Sequence, residues 1–345
     1  MKRIASSALI WLSIFIGSLG LGVPIALAAP APKSSSQAAA GQALEISPPV
    51  INLTANPGQI LKVPLRLGNV SRDKVIVSNQ INDFVAASED GTPKILLNNE
   101  ASDPYSLKDW ISPLPNLVMT AKQVQILPVT IKVPANASPG GHYGVIRFTA
   151  TPPDLKGTGV SLSASLGALI LIRVSGDVKE SLAVQEFTVN HYIPTGETGK
   201  AGKAGTLFES APLMFVERLK NTGNTHEQPV GQVTITDMFG KKIAAANVNV
   251  PPRNVLPGSI RRFEQPVDHD LIGNKKLFGL YHAKLSVVYG TNKQTVTSSL
   301  AFWVIPYRLI GTVIILIIGG FFALRIFIRN YNRRIISKSQ RSQRK

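Results

Sequence analysis

From about residue 44 to residue 306 the chain alternates apolar and polar positions in short runs broken by Pro, Gly and Asn; beyond residue 308 the alternation stops. In QILKVPLRLGN (59–69), Ile60, Lys62, Pro64 and Arg66 face one way and Leu61, Val63, Leu65 and Leu67 the other. A period of two predicts a half-buried strand. Pro64, which has no N–H to donate, predicts that this strand lies at a sheet edge. QVQILPVTIKVP (123–134) alternates in the same way, and VINLTA (50–55), KVIVSNQINDF (74–84), GHYGVIRFTA (141–150) and LSASLGALILIRVSG (162–176) complete a first set. A second set begins with LAVQEFTVN (182–190). It continues as strand, turn, strand, turn through 211–242, a return strand near 255–263, LFGLYHAKLSVVYG (277–290) and TVTSSLAFWVIP (295–306). Short strands with Pro/Gly turns and no helical period before Tyr307 predict an all-β chain: two tandem immunoglobulin-like β-sandwiches, over 44–178 and 179–304. The Gly-rich YIPTGETGKAGKAGTLFE (192–209) is expected to be an exposed loop, because its glycines lack the strand-then-helix setting of a phosphate cradle.

Where the alternation ends, LIGTVIILIIGGFFAL (309–324) carries no charged side chain and is closed by Arg308 and Arg325. Extended to 305–328 it matches the roughly 20 residues that cross a hydrocarbon core, with Trp303 and Tyr307 suited to an interface. The competing reading, a buried helix of a soluble domain, fits the unbroken apolar run poorly. The tail 329–345 is basic and has no acidic residue, which places it on the cytoplasmic side. At the other end, Lys2 and Arg3, an apolar run over 8–16 and Ala26-Leu27-Ala28 form the three parts of a secretory signal over 1–29; a retained N-terminal anchor is the alternative. The Ala/Pro/Ser/Gln stretch 30–43 reads as a flexible leader. The expected topology is single-pass type I, with both sandwiches outside the cell membrane.

Charge and composition change little in this picture. The net charge of +17 comes mostly from the signal and the tail, so it points to topology rather than to nucleic acid. With no cysteine, disulfide staples and Cys-ligated metals are excluded, and the sandwiches must hold by core burial; the composition fits a bacterial exported protein. His142, His191, His226, His269 and His282 show no zinc-ligand spacing, and His142 and His282, each beside a Tyr in a late strand, are expected to be structural. Asp268-His269-Asp270 reads as a solvated turn. Asp83, Glu89, Asp90 and Asp103 could gather round calcium but lack EF-hand order. No nucleophile elbow is present. The expectation is a protein that is not an enzyme and uses no cofactor or metal.

The order ISPPVINLTANPGQILKVPLRLGNVS, then LPVTIKVPANASPGGHYGVIRFTA, resembles the first extracellular domain of the WxL-interacting surface proteins of Gram-positive bacteria. The pieces that match are Pro48, the Pro57-Gly58 turn, Leu65 to Asn69, and Pro139 to Tyr143, all within roughly 44–174. The resemblance implies two immunoglobulin-like domains before a membrane helix, wall binding by the first and capture of a surface protein by the second. After residue 180 no such match is found, so no binding residue is carried over. Within the chain, NVSRDKVIV (69–77) matches NTGNTHEQPVGQVTI (221–235), and GGHYGVIRF matches FGLYHAKLSVV, as expected for two copies of one module. The longest irregular segment, 86–116, holds Tyr105, Lys108 and Trp110 as candidate binding contacts, although Trp110 could equally plug one end of the sandwich. The tip 153–161 is a second candidate. The favoured function is a non-catalytic, membrane-anchored binding protein that links the membrane to cell-wall polymer (peptidoglycan) or to another surface protein. The alternatives are a chaperone-like protein acting by strand addition and an accessory subunit of a membrane complex.

Overall fold

A computed structural model describes residues 44–97, 104–151, 165–196, 199–273 and 276–342. The expected signal segment and leader, and the whole of the 153–161 tip, lie outside the described residues, as does Asp103. The first module contains β1 (Leu44–Ser47), β2 (Val50–Ala55), β3 (Ile60–Asn69), β4 (Val75–Ala86), β5 (Pro93–Leu96), β6 (Leu117–Met119), β7 (Val124–Lys132), β8 (Gly140–Thr151) and β9 (Ser165–Val174). The second contains β10 (Leu182–Ile193), β11 (Lys200–Ala204), β12 (Leu207–Phe208), β13 (Leu213–Asn221), β14 (Val230–Asp237), β15 (Lys242–Val248), β16 (Ile260–Val267), the single-turn α1 (His269–Ile272), β17 (Gly279–Tyr289) and β18 (Gln294–Val304). Helix α2 (Tyr307–Ser342) follows.

In the first module the sheet β1-β3-β7 faces a larger sheet ordered β2-β9-β8-β4-β5, with β6 beside β4. The alternation seen in the sequence sorts the side chains: Leu65, Leu67, Val129, Ile131, Ile146, Phe148 and Ile170 are buried together between the sheets. The second module pairs β11-β10-β13-β16 with β12-β18-β17-β14-β15 around its own core, which includes Phe208, Phe215, Val233, Leu285 and Phe302. The chain is thus mostly β, in two sandwiches with one C-terminal apolar helix, as the patterning implied.

Two local expectations need correction. The strand carrying Pro64 is the middle strand of three, but β1 bonds only to Arg66–Asn69, so Pro64 still has a single neighbour, β7. The segment expected to be a Gly-rich loop contains β11, which extends β10, and β12, which runs parallel to the end of β18. Small residues reduced the apolar signal of β11, which is held by its ladder to β10 and by the Asn190 and Glu264 side chains at 2.8 and 3.0 Å, while β12 is pinned by the buried Phe208.

The internal repeat has a physical basis in two asparagines. Asn69, at the end of β3, donates to the Asp73 carbonyl at 2.8 Å and the Thr120 carbonyl at 2.9 Å, and its Oδ1 accepts from the Ser71 N–H at 3.0 Å. Asn221, at the end of β13, donates to the carbonyls of Thr225 at 2.7 Å and Val255 at 2.8 Å, and accepts from the Gly223 N–H at 2.9 Å. Each amide closes the turn that follows its strand and ties that turn to a distant strand connection, satisfying carbonyls that burial would leave unpaired.

Strand β18 reaches α2 through only Ile305 and Pro306. The apolar part of the helix is Tyr307–Asn332; its most apolar 18 residues have a mean hydropathy of 2.4, and none of these is buried. At 1.5 Å per residue it spans about 39 Å, long enough to cross a ~30 Å hydrocarbon core with some tilt.

Replacing Asn221 by Ala leaves the buried Thr225 carbonyl without its donor and takes one of two donors from the Val255 carbonyl, which keeps the Glu227 N–H at 3.0 Å; the loss should be about 2–3 kcal/mol. Asn69→Ala, whose partners are partly hydrated, should cost about 1–2 kcal/mol. Urea unfolding of the full-length protein in detergent measures both; equal small losses would show that the two turns do not depend on these amides.

Candidate protein-binding edge and interdomain cleft

A strand in these sandwiches is a possible site only where its outward N–H and C=O groups are unmet. On β7 the outward residues are Ile126, Pro128 and Thr130, because the intervening ones bond to β3. Pro128 has no donor, and the Thr130 carbonyl already accepts from Ser112 at 2.9 Å. On β16 the outward residues are Arg262, Glu264 and Pro266; the Arg262 N–H donates to the Glu89 carbonyl at 2.7 Å, and Pro266 has none to give. These two edges are closed.

Strand β9 differs. Its Leu169 N–H donates to Pro49 and its Ser175 N–H to Ala55, so odd-numbered residues point toward β2. Pairing with β2 begins only at Val50↔Leu169. Ser165 and Gly167 therefore present outward backbone groups with no partner among the described residues. Strand β1 runs nearby in the facing sheet without bonding to them, and Ile46 and Leu166 are only partly buried there. The second module has a comparable edge on β18, where Thr295, Thr297, Ser299 and Ala301 point outward before β12 takes over at Trp303. Neither stretch holds Pro or Lys. They differ in surroundings: the outer face beside β18 is hydroxyl-rich and exposed, whereas beside β9 it carries Leu169, Leu171 and Val50.

Those apolar side chains floor a cleft of about 270 Å³ between the sandwiches, with Phe84 on the same face and Leu256 and Arg261 opposite. The cleft is held in shape by contacts on both flanks. The β4–β5 turn rests on the second sandwich: Arg218 binds Glu89 on one side and Glu186 at 2.9 Å on the other, and Arg261 donates to the carbonyls of Asp90 at 3.0 Å and Asn254 at 2.6 Å. Gly91 is required in that turn. It sits at φ +79°, and a Cβ there would fall 2.2 Å from the Arg261 guanidinium carbon. On the other flank, Asn224 accepts from Lys179 at 2.8 Å and its carbonyl accepts from the Gly141 N–H at 2.8 Å, while Glu180 binds Arg173 and the Thr291 N–H at 3.0 Å.

Burial would push the Glu180 carboxyl up, but the Thr291 and Arg173 donors outweigh it and hold it below the usual range. Next to it, burial and the Glu180 charge push Glu227 up to about 7. Burial, with Arg173 nearby, lowers His226 to about 4, so its imidazole stays neutral against the Tyr143 ring, 5.7 Å away. This flank of the interface thus places a neutral ring and an acid that titrates near neutral pH beside the Arg173–Glu180 ion pair.

The structure brings Tyr105, Lys108 and Trp110 together at one end of the first sandwich. Trp110 packs on His142 with ring centroids 4.3 Å apart and planes tilted by 40°, Tyr105 lies 6.0 Å from the Tyr143 ring, and the Lys108 N–H donates to Asp83 at 2.9 Å. All three are partly buried in a segment that Asp83 also latches through Ser106, at 2.6 Å, and Leu107. His142 is buried with both ring nitrogens at backbone carbonyls, in keeping with a structural role, whereas His282 is exposed. Of the acidic residues considered for calcium, Asp83 holds that latch, Glu89 meets Arg218 and Asp90 caps its own turn through Thr92. No group of three metal-ligating side chains gathers among the described residues. Asp268 caps α1 by accepting from the Asp270 N–H at 3.1 Å.

No protein-family model matches the chain, and no curated protein matches it. Among solved structures, the YadV chaperone aligns over 75% of this chain and 100% of its own at 12% identity and a TM-score of 0.35. The E. coli chaperone DraB aligns over 75% and 96% at 14% identity and a TM-score of 0.32. The Pseudomonas aeruginosa CupB2 chaperone aligns over 73% and 96% at 13% identity and a TM-score of 0.32. Scores this low leave the fold description resting on the strand order itself.

Patterning also missed Glu217. Its place on β13, in step with Leu213, Phe215 and Leu219, turns it into the second core, where its carboxyl oxygens meet no partner beyond its own backbone. Burial, with Glu264 nearby, pushes it up to about 8. An acid raised in the folded state contributes its full stability below its unfolded pKa of about 4.5 and loses it as pH rises toward 8, by about 1.4 kcal/mol per unit. Glu217→Gln should therefore be more stable than the parent near pH 8 and show a flatter loss between about pH 5 and pH 8. Thermal melts of both proteins across that range test this; parallel curves would place an ionised carboxylate in the core.

Proposed function

We propose that this chain is a non-catalytic, membrane-anchored protein that binds an extended segment of a partner protein by strand addition at the open edge of β9. The observation that carries the proposal is the late start of β2, which leaves the outward backbone groups of Ser165 and Gly167 with no partner among the described residues, in a stretch free of Pro and Lys. An incoming strand there gains hydrogen bonds from the edge. It also gains apolar contact on both of its faces, with Leu166 at the seam and Leu169 and Val50 toward the cleft. The sequence favours the same edge, since apolar residues continue at every second position upstream, at Val160, Leu162 and Ala164. Helix α2 supplies the anchor, and the basic tail and N-terminal signal pattern support an outside position for both sandwiches. The resemblance of the first module to WxL-interacting proteins adds a Gram-positive surface setting to this proposal.

A photo-crosslinking residue at Ser165 of the full-length protein, in its native membrane, should give a protein adduct. The same residue at Ile126, on the proline-guarded edge, or at Thr297, on the hydroxyl-rich one, should give little. Equal yields at the three positions would contradict strand addition at β9, and a carbohydrate adduct at Ser165 would return the reading to wall polymer.

A further inference from the structure

The end of the second sandwich from which α2 departs presents large apolar side chains that no part of the fold covers. Strand register brings them to one end: Asp237 pairs with Tyr281, and Gly279 with Val304, so the β14–β15 turn, the approach to β17 and the exit of β18 lie together. At the tip of that turn Phe239 is 87% exposed, and Phe278, just before β17, is 64% exposed. Met238, Trp303 and Tyr307 are each about half exposed, at 47%, 45% and 49%.

Phe239 does not reach solvent by looseness. Asp237 Oδ1 accepts from the N–H groups of Phe239 and Lys241, both at 2.9 Å, and the Asp237 N–H donates to the Lys241 carbonyl at 3.0 Å. Gly240, at φ +80°, completes a tight turn that fixes the ring outward. Lys241 and Lys242 follow Phe239 closely in the chain, Lys276 lies two residues before Phe278, and all three are exposed. An aromatic tip with lysines next to it in the chain suits a bilayer interface, where rings sit at headgroup level and ammonium groups meet phosphates.

The connection to the helix fixes where these rings lie. The N–H groups of Trp303 and Ile305 donate to the carbonyls of Thr206 at 2.7 Å and Phe208 at 2.8 Å, and Arg308 pairs with Glu209 at 3.2 Å. Leu309 lines a hollow with Pro212, Ile272 and Leu277. With no slack between sandwich and helix, a helix that spans a membrane carries Phe239 and Phe278 to the bilayer surface.

We infer that Phe239 and Phe278, with Lys241, Lys242 and Lys276, form a second membrane contact that inserts in the outer headgroup region and holds the second sandwich against the lipid. This rests on α2 being the membrane anchor. The chain has no native cysteine, so single cysteines can be placed freely in the full-length protein. Phe239→Cys, Ile317→Cys and Asn292→Cys, the last at the opposite end of the same sheet, are labelled with an environment-sensitive fluorophore. They are then reconstituted in phosphatidylglycerol/phosphatidylcholine vesicles containing brominated lipid. The expected result is blue-shifted, quenched emission at 317, shallower quenching at 239 and none at 292. Quenching at 317 with water-like emission at 239 would overturn the membrane contact while leaving the anchor in place. Absence of quenching at both 317 and 239 would overturn the contact together with the anchor.

Discussion

Backbone groups at the rim of a β-sheet must bond to something or remain available, and in this protein that constraint separates structure from site. Each sandwich buries its alternating apolar face, which fixes the register but leaves edges. Pro128 and Ser112 close one edge, and Pro266 and the Glu89 carbonyl close another. The stretch of β9 before Leu169 has no such device among the described residues. Natural sheets guard exposed rims against unwanted pairing, so an unguarded stretch beside an apolar face marks a place where pairing is tolerated or used.

The same economy holds the modules together. The contact between them joins a small apolar cluster, Phe84, Tyr143 and Leu171 with Leu256 against it, to directed hydrogen bonds: the β4–β5 turn on Arg218 and Arg261 at one flank, and Asn224, Glu180 and Arg173 at the other. Such contacts fix orientation more than they add stability, because each charge gives up water to form its pair. A fixed orientation preserves the cleft beside β9, and through β18 it also sets the pose of the second sandwich over the start of α2.

Much of the fold was legible because period-two patterning reports burial directly. Leu61 to Leu67, Val129 to Val133 and the run before Val174 declared their strands, and α2 declared itself by the absence of charge. The paired asparagines were also visible, since both repeat segments begin with one. Less legible was anything that depends on which strands become neighbours. Pro64 suggested an edge but could not show that β1 would cover only half of its strand. Strand β11 (KAGKA) has almost no apolar signal to read, and β12, only Leu207 and Phe208, is too short to show a period. The edge on β9 exists only because β2 begins pairing at Leu169, a matter of register between distant segments. Tyr105, Lys108 and Trp110 stood out by residue type, yet composition could not foresee that Asp83 and His142 would draw their segment onto the sandwich.

Hydrogen exchange at single-residue resolution in the full-length protein, free of partner, reads the β9 edge most directly. An open edge predicts alternation: fast exchange at the Ser165 and Gly167 amides, which point outward, and slow exchange at Leu166 and Ala168, which bond to β8. Uniformly slow exchange across these four residues would mean that the chain already covers its own edge, and the proposed binding site would not exist.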